Sequence, residues 1–226
     1  MPTSTPTRFS NPPASALIWT PFLILCLIAA AAALRRIAAL VLPPSATAPP
    51  QLQALDIAFA ASKARTLAHV VPALAFILIL PAWFSRRIRA NTALHRRVTI
   101  ALLVLGAIIG VTALALSTTP VGGITEQSAT LLYDFIFLFS LTRAAAAFFS
   151  NNQQTHRLWM TRAIAVLLGI AATRPVMGVF FATASRTHLT PHQFFGIAFW
   201  IGFTSTFLAG ELYLRYRAPN PEGAPS

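Results

Sequence analysis

Six long apolar runs constrain the fold of this chain more than any other feature of its sequence. They cover residues 17–34, 66–84, 98–117, 128–149, 163–182 and 193–214. A helix that crosses the hydrocarbon core of a bilayer needs about 20 apolar residues, and each run meets or approaches that length. The runs lack the alternation of apolar and polar residues that is typical of membrane strands. They therefore predict an all-α fold, a polytopic bundle of six transmembrane helices.

The composition agrees with a membrane protein. Of the 226 residues, 56% are hydrophobic and 10% are charged, which is too apolar for an ordinary soluble domain. The net charge of +12 comes from short basic clusters between the apolar runs, a pattern that orients membrane proteins rather than one that covers a nucleic-acid face. We therefore expect the lipid bilayer as the partner surface and no nucleic-acid partner. Cys26 is the single cysteine, so an intrachain disulfide and a multi-thiolate metal site are excluded.

The arginines between the runs predict the orientation, because positively charged loops stay on the cytoplasmic side. The residues expected inside are Arg86, Arg87, Arg89, Arg96, Arg97, Arg157, Arg162, Arg215 and Arg217. A weaker opposing set flanks the long loop after the first run and consists of Arg35, Arg36, Lys63 and Arg65. The prediction is a multi-pass protein of the inner (cytoplasmic) membrane with both termini in the cytoplasm.

The expected domain organisation is a six-helix membrane domain, 17–215, between two disordered cytoplasmic tails, 1–16 and 216–226. Both tails are rich in proline and poor in apolar residues, so neither can bury much surface. Within the long loop, 52–61 is predicted to form a short interfacial helix. The first run is long for a signal sequence, which favours a retained helix, but its small residues leave cleavage open.

Two ionisable residues are predicted to lie deep within the membrane. Asp134 is about 9 Å from the outer end of the fourth run, and Arg174 is about 12 Å from the outer end of the fifth. Because an unpaired charge at this depth is costly, the matching depths predict an Asp134–Arg174 ion pair or a polar water site that they share. Pro175 is expected to kink the fifth span beside this charge.

Two further features concern the inner half and the packing of the spans. Glu211 lies near the inner end of the sixth run, where we expect it to pair with an inner arginine. Arg143 is near the inner end of the fourth run and is expected to reach the lipid headgroups. Gly106 and Gly110 form a Gly-x-x-x-Gly step that predicts close approach of a neighbouring helix.

Four histidines fall into two pairs by depth. His95 and His156 precede the third and fifth runs at the inner face, whereas His69 and His192 begin the second and sixth runs at the outer face, with His188 close to His192. Two pairs at opposite faces is the layout of a transmembrane electron carrier that binds two haem b groups through neutral imidazoles. The same residues are also consistent with anion or headgroup binding and with structural roles.

A nucleophile with a nearby base is not visible in the sequence, because the serines and threonines of the spans have no histidine at helical spacing on the same span. A close metal-ligand motif such as His-Glu-x-x-His is also missing. The sequence therefore disfavours a hydrolase and favours a protein that is not an enzyme, without settling the question.

Several short motifs resemble those of an uncharacterised family of bacterial membrane proteins, annotated only as a domain of unknown function. They are His95-Arg96, Gly122-Gly123, and the block His156-Arg157-Leu158-Trp159-Met160-Thr161-Arg162. The resemblance covers roughly residues 67–215, and it implies that Arg174, His69 and Glu211 correspond to marked positions of the family. The family continues from its first His-Arg pair into a Gly-Arg step, whereas this chain has Thr99-Ile100 there. In outline the layout is similar to cytochrome b561-type bundles.

Two functions of different class follow from these observations. The first is a binding protein for an anionic lipid or small solute that assists a membrane-complex partner or acts as a homo-oligomer. The second is a haem b electron carrier ligated by His69, His95, His156 and His192. With the haem groups, Arg157, Arg162 and Arg174 are available to the haem propionates or other anions; without haem, the same histidines with Arg157 and Arg162 are the candidate anion-binding residues.

Overall fold

The computed structural model of the chain is a bundle of α-helices. It describes residues 14–42 and 50–217, and within these ranges it contains nine helices and no strand. They are α1 (Ala14–Val41), α2 (Pro50–Ala60), α3 (Lys63–Phe84), α4 (Arg86–Ala90), α5 (Thr92–Leu116), α6 (Gly123–Phe149), α7 (Gln153–Leu167), α8 (Gly169–Thr187) and α9 (Pro191–Arg217). Six segments are long and apolar enough to cross a membrane, and α7 and α8 together form one of them. The predicted all-α bundle with six spans is confirmed.

The helices extend past the apolar runs because a helix ends at its caps rather than where its hydrophobicity ends. Helix α5 begins at Thr92, six residues before the third run. There the Asn91 side chain accepts a hydrogen bond from the Leu94 N–H at 3.0 Å. Helix α7 begins in the same way, with Asn152 accepting from the Thr155 N–H at 3.1 Å. These two asparagines therefore fix where α5 and α7 begin.

The predicted disordered tails, 1–16 and 216–226, fall largely outside the described residues. Where the structure does describe them, they are helical, since α1 already begins at Ala14 and α9 continues to Arg217. The helix predicted in the long loop is present as α2, while residues 43–49 of that loop lie outside the described ranges.

The connections lie alternately at two ends of the bundle, because consecutive spans run in opposite directions. Helix α2 and the connections at 117–122 and 188–190 lie at one end, which we call the α2 end. Helix α4 and the turn at 150–152 lie at the other, the α4 end. According to the predicted topology, the α4 end is cytoplasmic.

Glycines allow α9 to pack closely against its neighbours. A Cβ atom added to Gly196 would lie 2.5 Å from the backbone nitrogen of Glu126 in α6, and one added to Gly202 would lie 2.7 Å from the backbone nitrogen of Thr173 in α8. Small residues at such crossings are how membrane helices associate, since lipid tails offer no hydrophobic drive between them. These contacts place α9 between α6 and α8.

The predicted close approach at the Gly-x-x-x-Gly step of α5 is also present. A Cβ atom on Gly106 would lie 3.0 Å from the Leu141 side chain of α6, and one on Gly110 would lie 2.3 Å from that of Leu138. The step therefore positions α5 against α6.

The fifth span is interrupted at Leu168, between α7 and α8, while the kink expected at Pro175 stays a prediction. Pro175 lies inside α8, whereas Leu168 ends α7 and still donates its N–H to the Ile164 carbonyl at 3.0 Å. At the interruption the backbone meets α9 closely, because a Cβ on Gly169 would lie 2.8 Å from the Cα atom of Phe203.

We predict that Gly202→Ala lowers the melting temperature of the detergent-solubilised protein. The added methyl meets backbone atoms of α8 that cannot move aside, and overpacking of this kind costs about 1–3 kcal/mol. Gly178→Ala is the matched control, because nothing lies within 4 Å of its Cβ position and alanine favours a helix. Thermal unfolding followed by tryptophan fluorescence compares the two. Equal melting temperatures would show that the α8–α9 crossing tolerates a wider spacing.

Candidate functional site

A cavity of about 240 Å³ lies inside the α2 end of the bundle. Its walls are mainly apolar and include aromatic side chains of α6 and α9, such as Phe137, Phe199 and Phe203. Five acidic, basic or histidine side chains also line it, and they come from four helices: Arg36 of α1, His69 of α3, Glu126 and Asp134 of α6, and Arg174 of α8. Small-molecule sites usually combine mainly apolar walls with a few polar groups, as this cavity does.

Arg174 lines the cavity without a charged partner among the described residues. Its Nε atom is buried and has no hydrogen-bond partner there, and its Nη1 atom donates only to the Met177 sulfur at 3.8 Å. Asp134 is 7% exposed, and its Oδ2 atom also lacks a partner in the described part of the chain. Both charged groups therefore present unsatisfied polar atoms in one cavity.

A direct ion pair between Asp134 and Arg174, one of the two predicted arrangements, is not present in the described residues. The two helices that carry them are not packed side by side. Helix α6 packs against α5, α7 and α9, whereas α8 packs against α1, α7 and α9. Both side chains nevertheless line the same cavity.

Helix α2 covers this end of the bundle and is held by charge. Asp56 of α2 accepts from Arg35 Nη2 at 2.9 Å and from Arg36 Nη1 at 2.6 Å. The Arg36 guanidinium also lies over the ring of Phe59, 4.0 Å from its centroid. Arg35 and Arg36 repel Arg174 electrostatically, and one carboxylate balances the pair that holds α2. Two arginines therefore share one carboxylate near Arg174.

Two other ionisable groups of the cavity already have hydrogen bonds. His69 Nδ1 lies 3.2 Å from the Ile109 carbonyl oxygen and 3.0 Å from Thr112 Oγ1. Glu126 Oε2 accepts from the Gly122 N–H at 2.6 Å, which caps the start of α6. Asp134 and Arg174 are thus the charged groups of the cavity that remain for a ligand.

The predicted outer histidine pair is not brought together. His69 is bonded to α5, while His192 is exposed at the start of α9. His192 lies beside Gly123, whose φ of +62° is a left-handed conformation that glycine adopts readily. His188 is exposed and caps the end of α8. A second bis-histidine site at this end is therefore not supported.

The predicted inner pair does converge, around the buried indole of Trp83. The ring centroid of Trp83 lies 6.2 Å from that of His95 and 6.0 Å from that of His156. His156 is 1% exposed, and its Nδ1 donates to the Ala144 carbonyl at 2.9 Å. Its Nε2 atom and the Nδ1 atom of His95 are buried without a partner among the described residues. Two imidazole nitrogens with unused hydrogen-bonding capacity therefore lie near one indole.

His95 and His156 occupy equivalent places on their helices, and a repeated sequence pattern marks both. Each lies four residues after the asparagine that caps its helix, in the repeated pattern Asn-x-x-x-His-Arg of residues 91–96 and 152–157. Trp83 was not predicted, because nothing in its own run distinguishes it from a packing residue. Its Nε1 donates to Thr99 Oγ1 at 3.2 Å.

Glu211 pairs with Arg162, which is one of the arginines predicted to lie at the inner face. The contact is bidentate, with Arg162 Nε 2.5 Å from Glu211 Oε1 and Nη2 3.0 Å from Oε2. Arg162 also lies over the ring of Trp159, at 4.6 Å from its centroid, and Arg143 lies at 5.6 Å. Arg162 is therefore engaged by a carboxylate and is not free for a ligand anion.

The remaining motif residues divide into core and surface. Met160 is fully buried in the main hydrophobic cluster, whereas Arg157 is exposed beside His156. Arg174 lies 18 residues beyond His156 along α7 and α8, about 27 Å at the helical rise. It belongs to the cavity at the α2 end and cannot assist the inner histidines.

Comparison with known proteins places the chain in a family. Residues 66–214 match the family model described as "Predicted membrane protein (DUF2306)". No curated protein and no solved structure matches the chain. The match confirms the resemblance derived from the motifs and covers about two thirds of the sequence. The chain therefore belongs to this family of membrane proteins, whose function is unassigned.

Proposed function

We propose that this member of the family binds a small amphipathic anion in the cavity at its α2 end. The ligand has an apolar body and one carboxylate or phosphate group, as in a single-chain lipid or a small organic acid. The observation that carries the proposal is Arg174, a guanidinium that lines the cavity with no carboxylate partner among the described residues.

The energetics support an anion at this position. A buried charge without a partner costs several kcal/mol, and a charge-assisted bidentate contact with a carboxylate or phosphate relieves that cost. Arg36 also lines the cavity, and its guanidinium pairs with Asp56.

The walls and the volume support an amphipathic and small ligand. The cavity surface is mostly contributed by apolar side chains such as Ile77, Phe137 and Phe199. Drug-sized ligands occupy about 300–1,000 Å³, so a cavity of about 240 Å³ fits a smaller molecule.

A second candidate function rests on His95 and His156 at the α4 end, whose imidazole nitrogens without a partner are the donor type of the axial ligands of a haem b. A ligating histidine usually donates its second ring nitrogen to a carbonyl, as His156 does to Ala144, and leaves the other nitrogen for the metal. A bound haem would supply one-electron transfer. Arg157 is exposed and directly follows His156 in the sequence, so it would be the arginine to pair with a haem propionate.

The charge distribution supports the proposed location in the cytoplasmic membrane with both termini inside. The arginines of the α4 end are exposed: Arg86, Arg87, Arg89, Arg96, Arg97 and Arg157. At the α2 end, Arg35 and Arg36 share Asp56. Their pairing weakens the opposing set and favours a cytoplasmic α4 end.

We predict that octanoate and octyl phosphate raise the melting temperature of the protein in nanodiscs and that Arg174→Gln abolishes this effect. The variant should be at least as stable as the parent protein without ligand, because it removes the Nε donor of Arg174, which is buried without a partner among the described residues. Arg186→Gln is the control, since Arg186 is exposed on the same helix. An unchanged response to octanoate in Arg174→Gln would contradict the proposal.

For the second candidate, we expect a haem b band in the reduced-minus-oxidised visible spectrum of protein purified from haem-replete cells. His95→Ala and His156→Ala should each remove the band, because a bis-histidine iron loses an axial ligand. His188→Ala should keep it, since that histidine is exposed at the end of α8. A colourless parent protein excludes the electron-carrier function.

The orientation predicts which end a membrane-impermeant maleimide reaches in intact cells. In a Cys26→Ser background, a cysteine at Thr190 of the α2 end should be labelled from outside, and one at Asn151 of the α4 end should be labelled only after lysis. Both residues are exposed in turns, so accessibility does not differ between them. The reverse pattern would invert the topology.

A further inference from the structure

Asp134 is a buried charged residue that the anion-binding proposal leaves without a role. Its side chain is on α6 and lines the same cavity as Arg174, and its Oδ2 atom has no hydrogen-bond partner within the described residues. A carboxyl group buried without a partner is costly, and a simple alkyl ligand would leave it unsatisfied. A ligand in this cavity therefore needs a polar group opposite Asp134 in addition to its apolar body.

The neighbouring polar groups of the cavity are committed elsewhere. The Tyr133 hydroxyl lies 2.6 Å from Thr204 Oγ1, and His69 Nδ1 is bonded to α5. Arg36, the second arginine of the cavity wall, pairs with Asp56. The carboxyl oxygen of Asp134 that has no partner is therefore available to hydrogen-bond to a ligand.

We propose that the ligand carries a hydroxyl group, separate from its anionic group, that hydrogen-bonds to Asp134, so that the site selects hydroxylated amphipathic anions over plain ones. This inference rests on the proposed anion site at Arg174. The two groups stand apart on the ligand because Asp134 and Arg174 lie on helices that do not pack against each other and form no ion pair.

A hydroxyl fits better than the other polar groups that a ligand offers. It both donates and accepts, so it satisfies the carboxyl group in either protonation state. An ammonium would suit only an ionised carboxylate, and it would share the cavity with the Arg174 guanidinium. Sites that bury a polar group discriminate strongly against a ligand that lacks its partner.

The test compares octanoate with its 2-, 3- and 8-hydroxy derivatives and with 8-aminooctanoate, using titration calorimetry on the full chain in nanodiscs. We expect one hydroxy isomer to bind about tenfold or more tightly than octanoate. Asp134→Leu should remove that difference while octanoate still binds, since an apolar residue suits the alkyl chain. Asp134→Asn should keep part of it, because an amide also donates and accepts.

Thr130→Val is the matched control, because Thr130 lines the same wall of α6 one turn earlier and the change removes a hydroxyl without touching the carboxyl group. The preference for the hydroxy isomer should persist in this variant. Its loss in Thr130→Val but not in Asp134→Leu would overturn the assignment to Asp134.

The outcomes separate this inference from the function on which it rests. If octanoate binds and requires Arg174 but every hydroxy isomer binds equally, or 8-aminooctanoate binds most tightly, the hydroxyl selectivity is wrong and the anion site stands. If Arg174→Gln leaves the binding of every probe unchanged, the anion site itself is wrong.

Discussion

The close packing of α9 through glycine is the constraint on which the arrangement of the bundle depends. Gly196 lets it meet α6, Gly202 lets it meet α8, and Gly210 lies against Ala165 of α7. Without a hydrophobic drive between helices in lipid, contacts of this kind hold the bundle together. Because α9 lies between α6 and α8, those helices are separated and a cavity lined by aromatic residues of α9 remains beside them.

The distribution of charge follows from this packing. At the α4 end, Arg162 and Glu211 meet across α7 and α9 and satisfy each other. At the α2 end, Asp56 holds two arginines of α1 and so fixes α2. The charges between these levels, Asp134 and Arg174, lie on helices that do not meet. Because α6 and α8 both pack on α9, the two charged residues in the cavity stay unpaired, which makes the cavity a candidate site.

Much of the candidate site was visible in the sequence by residue type and depth. Asp134 and Arg174 stand out because charges are rare within apolar runs, and both line the cavity. The direct ion pair that their matching depths predicted is not present among the described residues, since depth along a helix says nothing about which helices are neighbours. The histidines show the same limit. Sorting by depth gave two equivalent pairs, yet His95 and His156 both contact Trp83, while His69 and His192 belong to different parts of the bundle.

The sequence by itself determined that the chain is a bundle of six membrane-spanning helices, because in lipid an apolar run of sufficient length must satisfy its own backbone as a helix. It also identified the charged residues within the spans, since their cost is independent of the fold. Tertiary structure alone decided that α2 covers the α2 end of the bundle, that the fifth span is interrupted at Leu168, and that Trp83 lies near both His95 and His156. These features depend on the rotation and contacts of each helix, which a hydropathy pattern does not encode.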